Sequence, residues 1–155
     1  MNKNKIRQAL QDLIYRLQDA EKGYLEIKLA SSNVIVNNWL QKYARERHEM
    51  HKELEHLSTQ IGGDPSVKTT FLGSLHRMFI DIKINNVNAE NEFKAIVTEI
   101  ERGATSLIND YTKVLSDVEM PANYVTKLMS QKVLIQEELN NLVDLREEIY
   151  SSESQ

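Results

Sequence analysis

The sequence contains no cysteine among its 155 residues. Disulfides, Cys-ligated zinc or iron–sulfur centres and thiol nucleophiles are thereby excluded, and any chemistry must rest on oxygen and nitrogen donors. No apolar run exceeds three residues, far short of the roughly 20 that cross a bilayer. Residues 1–8 also lack the hydrophobic stretch of a secretory signal. A soluble, cytoplasmic protein with no membrane partner is expected. Basic residues number 19 against 23 acidic ones, for a net charge of -4, and they form no block. Clustered positive charge is what phosphate backbones require, so nucleic acid is not the expected partner. With two prolines and five glycines, the chain has little to interrupt long elements, and its length fits one domain over 1–155 with a core at about 3–150.

Against this sparse punctuation, one phrase occurs almost twice: Asp19-Ala20-Glu21-Lys22-Gly23 and Glu99-Ile100-Glu101-Arg102-Gly103. Each copy falls inside a helical pattern, where glycine costs about 1 kcal/mol relative to alanine. The repetition points to two related helical hairpins, each with a glutamate at a close crossing. Ile6, Leu10, Leu13, Leu17, Ala20 and Tyr24 recur at three and four spacing and predict a first helix over 3–30. The capping cluster Ser31-Ser32-Asn33 separates it from a second, carried by Val36, Leu40, Tyr43, Arg47, Met50, Leu54, Leu57 and Ile61. Gly62-Gly63-Asp64-Pro65 ends that helix. Phe71 to Ile82 reads as a short amphipathic helix, followed by a polar break at 85–88. Phe93, Val97, Ile100, Ala104, Leu107, Tyr111 and Val114 mark a third long helix to about 117, and Pro121 opens a fourth to about Tyr150, with 151–155 fraying.

No strand pattern competes with this. The join over 62–88 is too long for a tight hairpin, which predicts an all-α, ferritin-like four-helix bundle with parallel second and third helices and a short extra helix in the crossover between them.

Ferritin-like di-metal sites take a lone Glu from one helix of each hairpin and Glu-x-x-His from the other, because residues i and i+3 share a face. Glu21 with Glu53 and His56 supplies the first half, and Glu101 begins the second. The repeat offset then meets Val133 and Gln136, and all four histidines, His48, His51, His56 and His76, precede the last two helices. A complete six-ligand centre is excluded. What remains is a reduced set of Glu21, Glu53, His56 and Glu101, suited to iron, manganese or zinc. The competing assignment pairs Glu21 or Glu101 with Arg47, which sits on a core stripe where an unpaired charge would be expensive. His48 and His51, at i and i+3, have zinc-chelating spacing but lie on the other flank of the stripe, and no His-Glu-x-x-His is formed. His76 and Tyr24, Tyr43 and Tyr111 read as packing residues.

Together these features predict a non-catalytic bundle without a cofactor, acting by association with itself or a partner, with Val34, Ile35 and Trp39 as exposed apolar candidates for contact. The alternative is a metal-binding protein serving storage or redox chemistry.

Glu21-Lys22-Gly23-Tyr24, Ala44-Arg45-Glu46-Arg47, Glu53-Leu54, Gly62-Gly63-Asp64-Pro65, Gly73-Ser74-Leu75-His76-Arg77, Ile82-Lys83, Glu99-Ile100-Glu101-Arg102-Gly103 and Tyr111 resemble, in order and spacing, the bacterial ferritin-like family catalogued as domain of unknown function 2383. The resemblance runs from about Leu13 to Arg146 and implies a four-helix ferritin-like bundle. Members commonly follow the third-helix glycine with acidic residues, where this sequence has Ala104 and Thr105, and often carry a last-helix histidine, where it has Leu139.

Overall fold

Asn2 starts the first helix: its side-chain oxygen accepts the otherwise unpaired N–H groups of Asn4 and Lys5. In the computed structural model, which describes residues 1–64 and 89–153, this helix, α1, runs over Lys3–Ala30. Asn33 caps α2 (Val34–Gln60) by accepting the Val36 N–H at 3.1 Å. The far end of α2 closes in a Schellman turn, in which Gly63 N–H donates to Ser58 O at 2.8 Å and Gly62 N–H to Thr59 O at 3.1 Å. Gly62 takes the required positive φ of 80°. A Cβ on Gly63 would collide with Ser58 Oγ and stand 2.8 Å from the Ser58 carbonyl oxygen, so the turn excludes any side chain there.

Two further helices complete the described fold, α3 (Ala89–Asp117) and α4 (Ala122–Glu153). The carbonyl of Pro121 accepts the N–H groups of Tyr124 and Val125 and so opens α4. The helix continues past its expected end near Tyr150, because residues 151–153 contain neither glycine nor proline to stop it. The short helix expected over 71–82, the break at 85–88 and His76 lie outside the described residues.

Side-chain pairs fix the directions of the helices. Tyr43 meets Asn141, Arg47 meets Glu138, Glu53 meets Lys127 and Leu57 meets Tyr124, so α2 and α4 are antiparallel. Arg16 holds Asp110 at 2.8 Å, while Ala20 and Tyr24 share a small pocket with Glu99, Ile100 and Gly103, so α1 and α3 are antiparallel too. With α1 and α2 joined by a tight turn, α2 and α3 run parallel. That is the one-crossover connectivity expected, and the two copies of the repeated phrase lie side by side.

The core falls into two apolar clusters. One holds Tyr24, Trp39, Tyr43, Phe93, Ile100 and Leu142; the other holds Leu10, Leu13, Met50, Leu54, Tyr111 and Leu128. Trp39 is buried rather than exposed, with its ring 4.4 Å from Tyr43 and 6.1 Å from Tyr24. It belongs to the inner stripe of Val36, Leu40 and Tyr43, which the three-and-four spacing extends to it.

Between the clusters sits a polar layer. Arg47 and Glu138 are fully buried and ion-paired through Nη2 and Oε2. Tyr24 donates to Glu138 Oε1 at 2.6 Å, and Arg47 lies 5.7 Å from the Tyr24 ring centroid. Burial pushes the Tyr24 phenol above its ordinary pKa, against the opposing pull of Arg47, so the hydroxyl stays a donor at neutral pH.

Arg47 thus has the carboxylate partner that its position demands, but that partner is neither Glu21 nor Glu101. Glu138 occupies the inner stripe of α4 at the level of Arg47, whereas Glu21 meets His48 and His51 on another face of α2 and Glu101 meets Arg146.

Candidate metal centre

About 100° of rotation per residue divides the polar residues of α2 into separate faces. His48, His51 and Glu55 recur at three and four and share one face, whereas Glu53, His56 and Gln60 centre about 140° round from it. Glu21, on α1, meets the first group. His48 Nδ1 lies 2.9 Å from Glu21 Oε1, and His51 Nε2 lies 2.8 Å from Glu21 Oε2. The two imidazole rings meet edge to face at 4.9 Å. Exposure falls inward across the group, from 49% for the His48 side chain to 24% for Glu21 and 5% for His51.

One ligand atom from each of Glu21, His48 and His51 lies within 4.8 Å of the others. Ligands bound at about 2.0 to 2.2 Å in a tetrahedron stand roughly 3.3 Å apart, so small shifts would close the three around an ion. Among the described residues this is the cluster of His, Asp and Glu side chains with such geometry.

The other expected ligands are engaged elsewhere. Glu53 is ion-paired with Lys127 of α4. His56 is exposed and lies beside the Gln60 amide at 3.2 Å. Glu101 pairs with Arg146 of α4, and Arg102 lies 3.7 Å from Glu99. The set Glu21, Glu53, His56 and Glu101 therefore does not converge: α2 presents Glu53 and His56 away from α1, and Glu101 turns to α4. Each repeated glutamate does face the partner helix of its own hairpin. In the first hairpin that helix offers two imidazoles, and in the second a guanidinium. His48 and His51 carried the i, i+3 signal in the sequence, but the rotation of α2 that aims them at Glu21 is a tertiary property.

The model of the family described as Domain of unknown function (DUF2383) matches residues 5–117. The chain belongs to this family. No curated protein matches it. In this DUF2383 member Glu21, His48 and His51 all fall within the matched span, while Glu138 and the rest of α4 lie beyond it. Among the described residues no helix is long and apolar enough to cross a membrane.

Proposed function

We propose that this DUF2383 member binds one divalent transition-metal ion through Glu21, His48 and His51. The observation that carries the reading is the convergence of two imidazole nitrogens and a carboxylate oxygen from two helices within 4.8 Å. Two imidazoles and one carboxylate suit iron, manganese or zinc better than calcium or magnesium, whose sites are built from oxygen. Three protein ligands leave coordination positions for water or another molecule, the arrangement of an ion that reacts or is exchanged rather than one locked into a structural site.

Calorimetric titration of the full chain, stripped with chelator, with zinc or cobalt(II) tests this. The expected result is one ion per chain, with His51→Ala weakening affinity by more than about 100-fold, beyond the roughly 10- to 100-fold that loss of an outer partner costs. Glu53→Ala should bind as the parent does. Binding unchanged by both His51→Ala and Glu21→Gln would end the reading.

A second reading, association with another copy of the chain, is favoured by the outer face of α4. Met129, Val133 and Val143 are each about half exposed, at 55%, 50% and 47%, and they recur with Gln136 and Asn140 along one helical stripe. Exposed apolar side chains aligned on one helix face are what a contact with a second copy would bury. Sedimentation of the parent should show a dimer that the double substitution Val133→Glu, Val143→Lys reduces to monomer; a monomeric parent at high concentration sinks the idea.

A further inference from the structure

The inner imidazole of the cluster has a second side. His51 Nδ1 is buried and makes no hydrogen bond. Facing it, one turn further along α2, is the carboxylate of Glu55, with Oε1 3.6 Å away. That separation is beyond a hydrogen bond, but a closure of about 0.7 Å would make one. Glu55 is itself held in place. Its side chain is 15% exposed, Gln18 of α1 donates to the same Oε1 at 3.4 Å, and Lys52 Nζ lies 3.5 Å from Oε2.

A neutral imidazole carries its proton on one nitrogen only. With the proton on Nε2, His51 donates to Glu21 and has no lone pair for a metal, and its Nδ1 lone pair then points at a carboxylate oxygen. With the proton on Nδ1, the lone pair of Nε2 faces Glu21 and His48, and the N–H faces Glu55. Glu21 Oε2, at 2.8 Å, holds the proton on Nε2 while no cation is bound; a cation between Nε2 and Glu21 would take that proton's place, and the anionic oxygen of Glu55 then favours the second tautomer, which is the one that ligates.

We infer, resting on the metal-binding reading above, that Glu55 is the positioning residue of this centre: it accepts the Nδ1–H of His51 and fixes the ligating tautomer. Carboxylate, imidazole and ion then form a line from Glu55 through His51 to the cation, the outer-shell arrangement that tunes metal-bound histidines. His48 has the opposite design, ligating through Nδ1 with its ring half in solvent. The centre accordingly has one buried imidazole and one half-exposed imidazole.

The test uses cobalt(II) bound to the full chain, read by titration and by proton NMR, with circular dichroism to confirm helix content. The expected spectrum contains a strongly shifted, slowly exchanging imidazole N–H signal from His51. Glu55→Ala should weaken affinity about 10- to 100-fold and bring that N–H into fast exchange. Glu55→Gln keeps an acceptor oxygen and should restore slow exchange while recovering only part of the affinity. If the parent and His51→Ala bind cobalt equally, or neither binds it, the metal-binding reading fails and this inference falls with it. If the parent binds cobalt and Glu55→Ala matches it within twofold with the N–H still in slow exchange, the centre stands and the role of Glu55 is overturned.

Discussion

Replacing Arg47 with leucine is expected to destabilise the bundle by about 3 to 5 kcal/mol, and Glu138→Leu by a similar amount, while the double substitution comes back to parental stability or exceeds it by about 1 to 4 kcal/mol. Both side chains have no solvent exposure. Removing Arg47 leaves a buried carboxylate whose remaining partner is the Tyr24 hydroxyl at 2.6 Å. Removing Glu138 leaves a guanidinium with the Met50 sulfur at 3.8 Å and the face of Tyr24. Each single variant therefore pays the desolvation of a lone charge, whereas the double variant replaces the layer with apolar packing continuous with the clusters on either side. Urea unfolding with a constant slope gives the three free energies directly. Additive costs, with the double variant near 6 to 10 kcal/mol by the same measure, would show that the pair does not act as a unit.

The second large effect distinguishes the two faces of α4. Leu142 is fully buried and should cost about 2 to 5 kcal/mol on truncation to alanine, the transfer loss plus the cavity left behind. Val143, its neighbour in sequence, is 47% exposed, and Val143→Ala should stay within about 0.5 kcal/mol of the parent. Chemical denaturation of the two variants side by side checks this. A Val143 effect as large as that of Leu142 would mean that α4 is rotated from the orientation described, and the outer stripe of Met129 and Val133 would lose its meaning with it.

The architecture was largely legible in the sequence because local rules and the fold agree. The 3–30 helix follows from an unbroken three-and-four stripe ending at a capping cluster, and α1 spans Lys3–Ala30. The Gly62-Gly63 stop is a turn whose geometry demands glycine, so residue type alone revealed it. The parallel relation of α2 and α3 followed from a join too long for a hairpin. The site was legible only in part. Arg47 on an apolar stripe announced that a carboxylate must meet it, and Glu138 stands at the same spacing among Leu128, Gln131, Ile135 and Leu142. That signal was present but weaker than the repeated Glu-base-Gly phrase. The phrase set Glu21 against α2, and it lies there beside His48 and His51. The faces of α2 decided the rest: 48, 51 and 55 against 53, 56 and 60. Both sets obey ligand spacing, and only the angle at which α2 packs on α1 selects between them.

The buried guanidinium has one further consequence. Arg47 is a cation that the chain carries covalently, placed between the four helices opposite the carboxylate that would otherwise need one. Among the described residues the two fully buried charges therefore compensate each other. Glu21, His48 and His51 stand at the same level but on the α1–α2 flank, outside that closed layer. A bound cation is therefore not needed to neutralise this layer, and an ion taken up at the proposed flank site would load onto a framework that is already complete.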